Sequence, residues 1–318
     1  MAKLISIGEA LIDRICYPDG RVMQLPGGAP ANVAVAVRKL GQDAMLITKV
    51  GEDAEGKLIL DTLAPFNLHQ NSLLTTNTHN TTIAEVTVAK DGQRTFQFDR
   101  RNAADLFITS EELPRDVFHK NDIYHFGSVD LVPSLTKEAT LEGKRYAQEH
   151  DLILSFDPNL RFALWPNETM LRDTVLEHMV GVDILKISDE ELPFLFPNTS
   201  EKDTIKTIFQ QKIRVLIYSK GAKGVSLYTD QGFEFHLSAY PKKVLDTTGA
   251  GDGLLGAFLS QLLAGNVTKE TLSHNATLLI EALKFANAAA AIVCTRPGAI
   301  PAFPHVEEVE QWIKENTK

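Results

Sequence analysis

Cysteine is nearly absent from this chain: Cys16 and Cys294 are the only two in 318 residues, far apart and with no metal-ligand spacing around either. That excludes a disulfide framework and argues against a zinc site, so both read as packing residues. Positive charge is also in short supply, with 32 Lys and Arg against 41 Asp and Glu and a net charge of -9. A nucleic-acid partner calls for a concentrated basic face, and none is expected. No apolar run reads as long enough to span a bilayer. The stretch Met1-Ala2-Lys3-Leu4-Ile5-Ser6-Ile7-Gly8 lacks the apolar core and small-residue cleavage site of a secretory signal. No membrane contact is expected, and a cytoplasmic location is. Internal repeats, low-complexity stretches and Pro/Ser-rich linkers are missing too, so nothing forces a boundary between domains.

What the chain does have is apolar content, 44% of its residues, enough for a large core in one α/β domain over residues 1–318. Residues 3–7, 44–50, 122–126, 152–156, 183–187 and 214–219 are short apolar runs of the kind buried in parallel sheets. Helical patterns fall between and after them, at 30–40, 52–63, 134–149, 281–293 and 306–314, so the βα alternation is expected to run to the end of the chain. Residues 71–101 differ. There 82–88 and 94–98 alternate with period two around Lys90-Asp91-Gly92-Gln93, a hairpin signal. With 11–17 and 21–25 also extended, insertions near 11–26 and 80–101 are expected to form a small sheet over the strand ends, a lid. Its half-exposed apolar face suits pairing of two subunits into a homodimer.

The stretch that organises the rest is Asp246-Thr247-Thr248-Gly249-Ala250-Gly251-Asp252-Gly253, running into an apolar helix. Glycine and alanine there let backbone N–H groups approach a bound group, and the helix adds its positive end, so the turn reads as an anion cradle. Asp252 falls in the first helical turn, placed to take a proton from an attacking hydroxyl; the alternative is an ordinary strand-to-helix turn with an acidic N-terminal residue.

Other polar residues follow strand ends or open helices. Asp13 stands just past the first strand, suited to sugar hydroxyls or simply a solvated turn residue. Gln24-Leu25-Pro26-Gly27-Gly28-Ala29-Pro30-Ala31-Asn32 has paired glycines before a helix, and Asn32 suits either polyol recognition or capping. One arginine of Asp99-Arg100-Arg101, Arg100, is the candidate for turning inward to a ligand. Arg161 ends Asp157-Pro158-Asn159-Leu160-Arg161. Ser188-Asp189-Glu190-Glu191 offers carboxylates for a hydrated Mg²⁺, with Glu191 the candidate, or a capping box. Lys220-Gly221-Ala222-Lys223-Gly224 suits the border of a nucleotide, and the Ala-rich 281–293 suits close packing or the face of a base.

Together these residues resemble the ribokinase-like (PfkB) carbohydrate kinases, nearly end to end, and within them the bacterial fructokinases. The most specific element is Asp246 to Asp252, which matches the family's C-terminal motif. Gly27-Gly28-Ala29-Pro30-Ala31-Asn32 matches its N-terminal glycine motif. The resemblance implies an α/β fold of the ribokinase-like kind, a three-layer αβα sandwich with a central mostly parallel sheet and a small β-sheet lid. It implies ATP-dependent phosphorylation of a sugar hydroxymethyl group, D-fructose to fructose 6-phosphate. Asp252 would be the base, and the N–H groups of Gly249, Ala250 and Gly251 the anion hole.

On the same grounds Asp13, Gly27, Gly28 and Asn32 would bind sugar, and Arg161 the sugar or the transferring phosphate. Glu191 matches the glutamate of the family's Asn-x-x-Glu motif, supporting Mg²⁺, with Ser188 in place of the asparagine. Lys220, Gly221 and Gly224 match the nucleotide-side turn, and Asn287 falls in the helix bordering adenine. Potassium would sit near Asp246, Thr248 and the backbone of 296–299. Within the family, 2-keto-3-deoxygluconate kinase is the alternative, sharing the Arg161 segment, although Asp99 beside Arg100 does not favour an anionic substrate. A silent sugar-binding regulator would be expected to lack Asp252. A Rossmann dehydrogenase would need Gly-x-Gly-x-x-Gly where this chain has Gly8-Glu9-Ala10-Leu11.

Overall fold

The computed structural model of the chain describes residues 2–88, 94–240 and 243–316. In β1 (Leu4–Ile7) every side chain is buried, Leu4 in one apolar cluster and Ile5 and Ile7 in another on the opposite face. A strand apolar on both faces belongs in the interior of a sheet. There β1 lies, parallel to β4 (Ala44–Gly51) on one side and β8 (Ile123–Gly127) on the other. Beyond β4 comes β5 (Leu73–Thr76), and beyond β8 come β9 (Ile153–Asp157), β10 (Ile184–Ser188) and β11 (Val215–Ser219), all parallel. Two further strands, β12 (Val225–Thr229) and β13 (Glu234–Leu237), extend that edge antiparallel and complete a nine-stranded sheet.

This last pair departs from the expected alternation. Gly232 at φ 78 returns the chain so tightly that no crossover helix fits between β12 and β13.

Helices cover both faces. The cluster containing Leu4 is closed by α1 (Ala29–Lys39), α2 (Ala54–Leu63), α7 (Ala250–Ala264), α8 (Ala276–Val293) and α9 (Val306–Asn316). The other is closed by α3 (Leu135–Glu149), α4 (Glu168–His178), α5 (Leu192–Leu195) and α6 (Glu201–Gln210). Local chemistry sets the starts: Ser134, Asn167 and Asn275 each accept a hydrogen bond from the third amide beyond, at the heads of α3, α4 and α8. Helix α8 begins five residues before the expected 281. By length and composition it could cross a bilayer, contrary to the expectation that no run does, yet over half of it is buried, packed with α7 in the core.

A separate sheet of order β3-β2-β6-β7 is built from β2 (Leu11–Cys16), β3 (Val22–Gly27), β6 (Ile83–Val88) and β7 (Arg94–Asp99). The two hairpins join through the parallel β2–β6 pair. Both insertions thus form the expected small sheet; the turn assigned to 90–93 lies outside the described residues. Val22 and Met23 on its outer strand are 57% and 38% exposed, an apolar spot on a half-wet sheet.

Candidate active site

The parallel strands all point their C-terminal ends to one edge, and a cleft of about 570 Å³ opens there beneath the small sheet. At its centre is the head of α7. Gly249 adopts φ 74, and a Cβ there would come within 2.6 Å of the Ala299 Cβ, so the turn tolerates only glycine. Gly249 and Gly251 line the cleft, with the first-turn amides of α7 that lack helical partners. Ala250 does not: its amide donates to the Thr247 carbonyl at 3.1 Å, closing the turn instead of facing the cleft as expected.

Asp252 is buried and lines the cleft, and Asn32 Nδ2 donates to its Oδ2 at 2.8 Å. Asn32 reaches it from the first turn of α1, which Gly28 opens at φ 109; a Cβ on Gly28 would strike the Glu9 carbonyl at 2.3 Å. The capping alternative for Asn32 therefore fails, since its side chain spans two helices. Burial lifts the Asp252 carboxyl above its ordinary value, against the pull of Asn32, Lys186 and Arg161. Such a carboxylate is a stronger base than an exposed one.

On the Asn32 side of the cleft, burial pushes Asp13 up to about 6, with Arg161 drawing it down and Asp252 and Asp246 adding to the rise. Gly27 leaves that carboxylate room, since a Cβ would sit 3.2 Å from Asp13 Oδ2. Arg161 is exposed at the rim, its Nη1 donating to Leu160 O at 3.0 Å.

Glu191 and Arg100 are both anchored by protein partners. Glu191 Oε1 accepts from Leu160 N, and Oε2 from Ser188 N and Oγ, all at 2.8 Å, so the capping box forms and both oxygens are committed. Burial opposes its charge, but Lys186 and these donors prevail and hold the carboxyl below its usual range. Glu191 thus fastens the segment that carries Arg161. Arg100 is buried, with its guanidinium on Asp105 and Val129 O. Asp105 supplies the counter-charge a buried guanidinium requires, while Arg100 also lines the cleft with its Nη2 free of any hydrogen bond among the described residues, turned inward as expected.

The remaining residues form two groups. Asp246 Oδ1 accepts from Thr248 N and Oγ1, and Oδ2 accepts from Gly298 N at 3.1 Å, tying the cradle to the 296–299 loop. On the far side, a Cβ on Gly224 would meet Leu237 O at 1.9 Å, and Asn287 Nδ2 donates to Ser238 O at 3.0 Å. The turn of Lys220, Gly221 and Gly224 and the helix of Asn287 therefore meet across residues 237–239. Lys220 itself pairs with Glu201 at 2.7 Å.

Sequence reading missed Lys186, which lines the cleft, pairs with Asp157 at 2.9 Å and lies 3.2 Å from where a Gly251 Cβ would be. Burial acts against its charge, but Asp157 and Glu191 raise its pKa. Burial lifts Asp157 to about 7, with Lys186 pulling down and Glu191 pushing up. The signal was available: a lysine inside the apolar strand Ile184-Leu185-Lys186-Ile187 needs a buried partner.

A cradle, a buried carboxylate and a lysine at one sheet edge describe a site for group transfer. The family model for pfkB carbohydrate kinases matches residues 1–306. The chain belongs to the pfkB family of carbohydrate kinases. As a member it is an ATP-dependent sugar kinase with the ribokinase-like fold. It is 34% identical to the probable fructokinase-5 of Arabidopsis thaliana, over 99% of this chain and 98% of that one. The fructokinase of Xylella fastidiosa with bound ATP superposes with a TM-score of 0.90 at 31% identity, covering 99% of both chains. A fructokinase double mutant of Vibrio cholerae O395, with fructose, ADP and potassium bound, superposes at 0.87 and 30% identity, over 98% of each chain.

Proposed function

We propose that this kinase transfers the γ-phosphate of ATP to O6 of D-fructose, giving fructose 6-phosphate, with Asp252 as general base. The observation that carries the assignment is Asp252 itself, buried, raised in basicity and held by Asn32 beside Gly249 and Gly251. Fructose would lie between Asp13, Asn32 and Arg161, with O6 at Asp252. Mg-ATP, as substrate, would run from the cradle toward Lys220, Gly221, Gly224 and Asn287. Asp252 takes the hydroxyl proton as the oxygen attacks, while the Gly249 and Gly251 amides stabilise charge on the phosphoryl oxygens.

With both Glu191 oxygens engaged, magnesium would be held by the phosphates and water, and Glu191 would act through water at most. Asp246 and Thr248 bring carboxylate and hydroxyl oxygens together beside the 296–299 backbone, a donor set that fits K⁺, which would lend positive charge to the cradle. The chain is read as one domain, 1–318, whose small sheet is the lid: closing it would exclude water that otherwise hydrolyses ATP. Pairing through the exposed Val22 and Met23 would give a homodimer, and we assign the reaction to the cytoplasm.

The 2-keto-3-deoxygluconate alternative is weaker because Asp99 adjoins Arg100 in the sequence and the Arg100 charge is already paired with Asp105, which together disfavour an anionic substrate. Coupled ADP release across fructose, ribose, 2-keto-3-deoxygluconate, glucose and adenosine tests the assignment. The expected result is the highest kcat/KM with fructose; turnover of none would favour a regulator.

A further inference from the structure

Beneath the cleft lies a buried acid pair that the reaction does not use. Glu9 and Asp130 are 4% and 1% exposed. Each spends one oxygen on a backbone amide: Glu9 Oε1 accepts from Ala29 N, and Asp130 Oδ2 from Gly127 N, both at 3.0 Å. Each leaves its other oxygen, Glu9 Oε2 and Asp130 Oδ1, buried with no donor. The Asp130 carboxyl packs directly on Gly8, the residue before Glu9, so the two acids are neighbours. Gly8 makes the approach possible, since a Cβ there would fall 2.1 Å from Asp130 Oδ1.

Two carboxylates cannot both stay ionised in this position, because like charges in a dry site repel strongly. A single proton removes the conflict and turns two orphan acceptors into a donor and an acceptor. The neighbours leave that need unmet. Arg100, just after β7, acts on both acids and keeps Nη2 without a hydrogen-bond partner among the described residues, but a single guanidinium already paired with Asp105 cannot balance two further carboxylates. A small cavity brings His125, Asp157 and Asp252 beside Glu9. His125 is bonded to Ser155 and kept neutral, burial pulling it to about 4, while Asp157 pairs with Lys186.

We infer that Glu9 and Asp130 hold one proton between them, and that this pair positions the catalytic base. It ties Ala29, the first residue of α1, to the loop after β8, and α1 carries the Asn32 that holds Asp252. Glu9 and Asp130 are thus positioning residues, acting through Asn32. Burial raises the proton affinity of both, in keeping with that arrangement.

The test uses isosteres. At about pH 8.5, where ordinary carboxyls are ionised, the infrared difference between wild type and Glu9→Gln should contain a protonated-carboxyl stretch, as should that between wild type and Asp130→Asn. Glu9→Gln keeps the bond to Ala29 N and donates from Nε2 to Asp130. It should therefore recover most of the loss seen in Glu9→Ala, expected as a fall of about tenfold or more in kcat with a rise in fructose KM. The double variant Glu9→Gln/Asp130→Asn sets two NH₂ groups face to face, so its Tm should fall by more than the sum of the single changes. The kinetic readouts rest on the proposed site; the infrared and thermal readouts do not. No carboxyl band in either difference spectrum, Glu9→Gln as impaired or as unfolded as Glu9→Ala, or a double variant no worse than additive would each overturn the inference. If Glu9→Ala does not fold, the spectra and the double variant decide.

Discussion

Asp252 is buried and Asp13 half-buried, both with raised pKa values in one cleft, but the roles proposed for them differ and their substitutions should separate in kinetics. Asp252→Asn keeps the Asn32 contact but removes the base, so kcat should drop by about two orders of magnitude or more while ATP affinity by calorimetry is nearly unchanged. Near-normal turnover in that variant would remove Asp252 from the mechanism. Asp13 titrates at about 6 in the fold. Below that pH it carries a proton and loses charge as an acceptor for sugar hydroxyls, so fructose KM should rise as pH falls through about 6, and Asp13→Asn should flatten the profile. The stability sign runs the other way. A raised carboxyl keeps its proton longer folded than unfolded, so its contribution declines as pH climbs from the ordinary Asp value toward 6. Asp13→Asn should therefore raise Tm at pH 7 while weakening sugar binding. The gathering of Asn32, Arg161 and Asp252 at one cleft was legible because each follows a strand end or opens a helix, whereas Asp13, expected just past the first strand, reaches the cleft from inside β2. Glu9 and Asp130 were not legible, because an acid pair between distant segments leaves no spacing to read.

At the scale of elements, the site depends on how closely α1 and α7 approach. A Cβ on Gly256 would come within 2.6 Å of the Ala36 Cβ and 3.1 Å of Val33 O. Gly256→Ala would gain about 1 kcal/mol in helix propensity, but the overlap with fixed helix atoms costs about 1–3 kcal/mol. The net expectation is lower stability in urea melts and a kcat reduced several-fold, because the Asn32–Asp252 bond bridges the same two helices. Unchanged melting with unchanged kcat would show that the helices can part freely. The parallel strands β1, β4, β8, β9, β10 and β11 were legible as apolar runs. The pair β12 and β13 was not, because β13 is a sheet edge whose residues alternate exposed and half-buried, and its Glu234-Phe235-His236-Leu237 is too short to declare a period.

For the whole molecule, the small sheet makes a prediction about assembly. Val22 and Met23 are exposed on its outer strand, so light scattering should give a dimer mass for the native chain and a monomer mass for Val22→Glu/Met23→Glu. A monomer in both cases would leave that face to the lid alone.

The strand order also governs how the chain comes together as it is made. From β8 to β13 each new strand is laid beside the one just synthesised, whereas α1, besides its own sheet face, packs on α7, near the end of the chain. During translation, which proceeds at about 5–20 residues per second, α1 must wait for most of the protein to leave the ribosome. Asn32 then meets Asp252 as one of the last long-range contacts to form. A chain truncated before α7 should therefore expose the face of α1 that α7 covers, open to chaperone capture, and lack the cradle and Asp252 altogether.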